Sequence, residues 1–152
     1  MKPGFKPKPY LEECCEKMLF LSLLVLLYSA ANAVAENYVK PDQFKKWIET
    51  SKPVQIVDIQ VPEGFEKHHF KNSIETNAYP VKSDVEKQRL DRILPTLQAS
   101  KNDVVIVCPR GGGGAQNTYK HLKDKGIPES RLYILEKGAE GWPYKEMFIQ
   151  GR

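Results

Sequence analysis

The chain is poor in cysteine: three in 152 residues, at Cys14, Cys15 and Cys108. A disulfide-built scaffold is therefore excluded. It also lacks any apolar run long enough for a confident membrane span, which needs about 20 residues. No dense Lys/Arg block and no aromatic-glycine motif of the RNA-binding kind occurs, so the net charge of +4 reads as a solvated surface and not as a nucleic-acid footprint. Internal repeats and low-complexity tracts are absent. What remains is ordinary globular composition, 41% hydrophobic and 28% charged, with enough apolar material for one packed domain and an N-terminal extension.

That extension is residues 1–35, with the domain at residues 36–152. Leu19 to Leu27 is dense in apolar residues, and Ala31-Asn32-Ala33 and Ala33-Val34-Ala35 read as small-x-small cleavage sites. An export signal is the expectation, which puts the domain in a periplasmic or extracellular setting. An uncleaved membrane anchor or a buried helix are the alternatives. The upstream stretch, with Lys2, Lys6, Lys8 and Lys17 among Glu12, Glu13 and Glu16, is long for a signal, and Met18 could be the true start. Cleavage after Ala33 would remove four basic and three acidic residues, leaving a charge of +3 and one cysteine, Cys108. Cys14 and Cys15 are sequence neighbours, so a disulfide between them would be strained. In an uncleaved form they could be acylated.

Beyond Ala35 the segments alternate. Phe44, Trp47 and Ile48 have helical spacing, with Pro41 suited to a first turn and Pro53 beyond the end. Val54 to Ile59 is a buried strand. A loop-rich stretch follows, with one helical turn and a short strand near Thr76 to Tyr79. Ser83 and Glu86 are spaced as a capping box. Leu90, Ile93, Leu94 and Leu97 form an apolar helical stripe that Pro95 kinks or ends. Asp103 to Cys108 is a second strand, Ala115 to Lys125 a helix stopped by Gly126 and Pro128, and Arg131 to Leu135 a third strand. Such alternation predicts an α/β fold: a mostly parallel central sheet with helices on both faces.

Ligands of open parallel sheets bind beyond the carboxyl ends of the strands. Cys108 is expected as the last residue of such a strand, ahead of Pro109, Arg110 and the glycines Gly111, Gly112, Gly113 and Gly114. The start of the next helix offers free N–H groups and the positive end of its dipole. Arg110 adds a formal charge. Both favour a thiolate at Cys108. Glycines in left-handed conformations could turn successive N–H groups into an anion cup. A nucleotide P-loop is excluded because no Gly-Lys-Ser/Thr follows the glycines, and contiguous glycines fit the dinucleotide fingerprint poorly.

Three segments resemble the rhodanese sulfurtransferases of the single-domain type: "VQIVDIQVPEGFEKHHFKNSIETNAYPV", "IVCPRGGGGAQNTYKHLKDKGI" and "LYILEKGAEGWPY". The resemblance covers roughly Tyr38 to Lys145. It implies a rhodanese-like three-layer sandwich. It also implies sulfur transfer through a persulfide on Cys108, from a small sulfur-containing anion (thiosulfate or polysulfide) to a thiol, cyanide or sulfite. Neither a metal nor an organic cofactor is implied. Arg110 and Gly111 to Gly114 would bind the donor. Asp58 would pin the first strand to the loop region, His69 and Trp142 would be structural supports, and His121 would lie on the helix surface. Gln60 stands where the family commonly has arginine, and the active-site loop is one residue longer. A glycine replaces an arginine often found near the loop's end, so Arg110 must supply the charge. Two other readings share the fold: a phosphatase or arsenate reductase, which wants an arginine six residues after the cysteine, where this chain has Gly114, and a non-catalytic binding module. The residues leave the oligomeric state open.

Overall fold

In the computed structural model, residues 35–152 are described. The expectations for the N-terminal segment, with Cys14 and Cys15, lie outside the described residues. The chain enters through β1 (Tyr38–Val39) and α1 (Pro41–Glu49), whose first turn holds Pro41 where a missing N–H costs nothing. β2 (Val54–Asp58) leads to α2 (Pro62–Lys67), β3 (His69–Phe70) and β4 (Ile74–Glu75). α3 (Asp84–Asp91) and α4 (Leu94–Ala99) follow, then β5 (Asp103–Val107), α5 (Gly113–Asp124), β6 (Leu132–Leu135) and β7 (Phe148–Ile149).

Five strands form one sheet in the order β1-β6-β5-β2-β4. Every pairing in it is parallel. Val54 sits opposite Asp103 and Asp58 opposite Val107, while Val104 faces Leu132. Strands buried on both faces read as continuous apolar runs, as β5 does. Alternation along the strands divides the core. Val104, Ile106 and Cys108 pack with Leu132, Ile134, Leu90, Leu97, Ala115 and Leu122 on the face covered by α3, α4 and α5. Val105, Val107 and Leu135 pack with Phe44, Phe70 and Trp142 on the other. Full burial of a side chain such as Leu122 stabilises the fold by roughly 1.5–3 kcal/mol. The outcome is the expected three-layer α/β sandwich.

The capping box forms: Glu86 N–H donates to Ser83 Oγ (3.3 Å), and Ser83 N–H donates to Glu86 Oε2 (2.9 Å). Pro95 splits the apolar stripe into α3 and α4 by standing in the first turn of α4. The short strand expected at Thr76 to Tyr79 is instead Ile74–Glu75. Thr76 N–H and Oγ1 both donate to Asp58 O (3.0 and 2.9 Å), at the last paired position of β2 and β4. β1 and the antiparallel pair β3–β7 are two-residue strands that no periodicity announces. Among the described residues, no helix is long and apolar enough to cross a membrane.

Candidate active site

β5 ends at Val107, one residue earlier than expected, and Cys108 stands just past its carboxyl end. The side chain is 2% exposed, yet its sulfur is not surrounded by hydrocarbon alone. Gly111 N–H donates to Cys108 Sγ at 3.0 Å. Cys108 also lines a pocket of about 100 Å³ with Tyr79, Arg110, Gly112, Gly113 and Gly114. Arg110 is the cationic side chain on that wall and is exposed. Hollows of about 450 Å³ beside Lys82, Lys87 and Lys120 and about 400 Å³ beside His68 and Lys145 are larger but contain no thiol.

The glycines divide the work unequally. Gly111 alone of the four has positive φ, at +69°. This turn aims its N–H at the sulfur, and a Cβ there would lie 2.7 Å from Lys137 N and 2.8 Å from Leu135 O. Gly113 and Gly114 are not loop. They are the first two residues of α5, which begins two residues before the expected Ala115. Ala115 and Gln116 N–H both donate back to Gly112 O (2.9 and 3.1 Å). The amides of Gly112, Gly113 and Gly114 precede any such carbonyl partner, so this end of α5 carries free donors and the positive end of the dipole. The loop is thus one left-handed turn plus a helix N-terminus, not four left-handed glycines.

A second loop holds the first. After β6, Ala139 N–H donates to Cys108 O (2.9 Å) and Glu140 N–H to Pro109 O (2.8 Å). Lys145 Nζ donates to Ala139 O and Glu140 O, at 3.1 and 3.0 Å. Backbone meets backbone here: a Cβ on Gly138 (φ +59°) would lie 2.2 Å from Cys108 O. Trp142 is fully buried beneath this loop, its Nε1–H donating to Tyr144 O at 2.7 Å.

Cys108, Arg110, Gly112, Gly113 and Gly114 come together in the pocket, and Gly111 reaches it through its amide. Asp58, His69 and Trp142 do not line it. The Asp58 carboxylate accepts from Gln60 N–H (2.9 Å) and Gln60 Nε2–H (3.1 Å), which fastens the exit of β2. That exit is tied to β5 by main chain, Ile59 N–H donating to Val107 O at 2.9 Å. Burial raises the Asp58 carboxyl from 3.8 to about 6, against the lowering effect of the Gln60 bonds. His69 Nδ1–H donates to Phe65 O (2.8 Å), and its ring stacks on Phe65 at 3.9 Å. His121 is not on the surface: α3 covers it, leaving the side chain 12% exposed with Nε2 2.8 Å from Asp91 Oδ1. The pocket residue that sequence reasoning missed is Tyr79, whose aromatic type just before Pro80 was the single available hint.

The family model for the rhodanese-like domain matches residues 40–145. The chain belongs to the rhodanese-like domain family. No curated protein matches the chain significantly. Among solved structures, the rhodanese-like domain protein of Staphylococcus aureus is 24% identical, with 76% of this chain and 99% of that one covered at a TM-score of 0.55. The As-Sb reductase of Leishmania major is 15% identical, with 76% and 86% covered and a TM-score of 0.58. A Saccharomyces cerevisiae protein described as a homologue of single-domain rhodanese and of a phosphatase catalytic domain is 19% identical, with 70% and 78% covered and a TM-score of 0.53. At these identities the likeness is one of fold. Within this rhodanese-like domain, chemistry has to be argued from the pocket itself.

Proposed function

We propose that this rhodanese-like domain is a sulfurtransferase that carries a sulfane sulfur on Cys108. The observation that supports the reading best is the Gly111 N–H, 3.0 Å from Cys108 Sγ on the floor of the pocket. That amide donates a hydrogen bond to the sulfur, and the nucleophile in such chemistry is the thiolate. In the first step a lone pair of the thiolate forms a bond to the donor's outer sulfur. The bond between that sulfur and the rest of the donor breaks, and its electron pair leaves with the departing sulfite or thiolate. The persulfide then bears its charge on the outer sulfur, within reach of the helix-start amides of Gly112 to Gly114, while Arg110 attracts the anionic donor. In the second step an acceptor such as cyanide, sulfite or a thiolate attacks the outer sulfur, and the electron pair returns to Cys108.

In the same reading the partners are small molecules. The N-terminal segment carries the domain out of the cytoplasm, as a cleaved signal or as an anchor. Phosphatase or arsenate-reductase chemistry needs a cation to clamp a tetrahedral anion in bidentate fashion. At Gly114, six residues after Cys108, a Cβ would meet the Tyr79 ring at 2.8 Å, which leaves no path for an arginine side chain.

The test is the intact mass of the purified chain after incubation with thiosulfate or polysulfide. A gain of one sulfur atom is expected, removable by cyanide and absent in Cys108→Ser. Turnover of an aryl phosphate without any sulfur gain would overturn the proposal in favour of a phosphatase. No change with any donor would leave a binding module.

A further inference from the structure

Tyr79 lines the pocket beside Gly114, the residue six places after Cys108. Its Cδ2 and Cε2 lie 2.8 Å from the position a Cβ on Gly114 would take, with Ile59 Cδ1 behind at 3.5 Å. The ring therefore lies against the first turn of α5. It is not free to swing away with its loop. Tyr79 N–H donates to Ile59 O (2.8 Å), and the next residue's carbonyl, Pro80 O, accepts from Asn117 Nδ2 on α5 (3.2 Å). Both sides of the residue are thus tied, one to the exit of β2 and one to the helix.

This leaves a narrow space of about 100 Å³ lined by Cys108, the glycines Gly112 to Gly114, Tyr79 and, among the described residues, one cation, the exposed Arg110. A tetrahedral oxyanion head is branched, and each of its oxygens needs a donor to replace water. The ring carbons Cδ2 and Cε2 of Tyr79, which lie against Gly114, offer none. A chain of sulfur atoms is unbranched and polarizable, has no oxygens to satisfy and makes favourable contacts with aromatic rings.

Building on the sulfur-transfer reading, we infer that Tyr79 is a specificity-determining residue. It makes Cys108 selective for donors that end in an unbranched run of sulfur, such as polysulfide, and selects against donors with a tetrahedral oxyanion head. In the favoured step Cys108 Sγ bonds to the terminal sulfur of the chain. The adjoining S–S bond breaks, and its electron pair leaves on the shortened chain as hydrosulfide or a shorter polysulfide. No oxidant or reductant is consumed.

The experiment uses the full chain and follows the gain of one sulfur by intact mass over time, with thiosulfate and inorganic polysulfide in parallel at equal concentration. Polysulfide should load Cys108 at least about tenfold faster, the scale on which a shaped pocket discriminates. Tyr79→Ala should shrink that ratio several-fold. Tyr79→Val serves the same purpose if the alanine variant does not fold. Equal loading of the unsubstituted chain by both donors would overturn the role of Tyr79 and leave sulfur transfer standing, as would an unchanged ratio in the folded variant. Loading by neither donor would overturn both.

Discussion

Gly138→Ala is the sharpest perturbation available, because it strikes the crossing of the two loops that build the site. Gly138 has φ +59°, a left-handed conformation that costs an L-residue about 1–2 kcal/mol. The added Cβ would also lie 2.2 Å from Cys108 O and 2.6 Å from the amides of Arg110 and Gly111, and no rotamer change relieves a contact with main chain. The loops must part, which sacrifices the Ala139-to-Cys108 and Glu140-to-Pro109 hydrogen bonds at about 1 kcal/mol each. The expected loss is therefore about 3–4 kcal/mol, a large share of the 5–15 kcal/mol typical of a domain. Urea unfolding followed by tryptophan fluorescence should report it as a lower midpoint at unchanged slope. Gly113→Ala is the matched control. Nothing lies within 4 Å of its Cβ position, and it opens a helix, so it should be neutral or more stable by up to about 1 kcal/mol. If the two variants unfold alike, or if Gly138→Ala costs less than about 1 kcal/mol, the account of this crossing is wrong.

Three further outcomes are expected. Burial raises Asp58 to about 6, so its contribution to stability is complete below pH 3.8 and is lost as pH rises through 6. Asp58→Asn should accordingly gain on the unsubstituted protein by roughly 2 kcal/mol between pH 4 and pH 7, measured as the difference of two urea curves at each pH. Arg110→Ala should slow the loading of Cys108 by an anionic donor roughly tenfold at low ionic strength, and the gap should close as salt is added. Lys145→Met removes the donor to Ala139 O and Glu140 O, so it should cost about 1–2 kcal/mol and speed hydrogen exchange at the Ala139 and Glu140 amides.

The site was only half legible in advance, and the particular residues explain why. Cys108, Arg110 and the glycines are contiguous, and they sit between an apolar run and an amphipathic helix. Strand end, nucleophile and helix start therefore follow one another in the chain as they do in space. Tyr79 reaches the same pocket from another loop, and its contact with Gly114 depends on where two separate elements come to rest. His121 looks like an ordinary helix residue until α3 is laid over it and Asp91 meets its ring. The partner of Asp58 is local, since Gln60, two residues on, takes both carboxylate oxygens.

The primary structure by itself determined the alternation of buried strands and capped helices, and hence the parallel sheet with Cys108 at a carboxyl edge. Those features depend on side-chain period and on short-range backbone chemistry. Only the tertiary structure decided how the four glycines are used. Gly111 and Gly138 are pressed together by main-chain contact between segments far apart in sequence, Gly114 is held bare by an aromatic ring, and Gly112 and Gly113 face open space. Contacts of that kind arise when backbones approach one another, and they leave no periodic trace in the residues that make them.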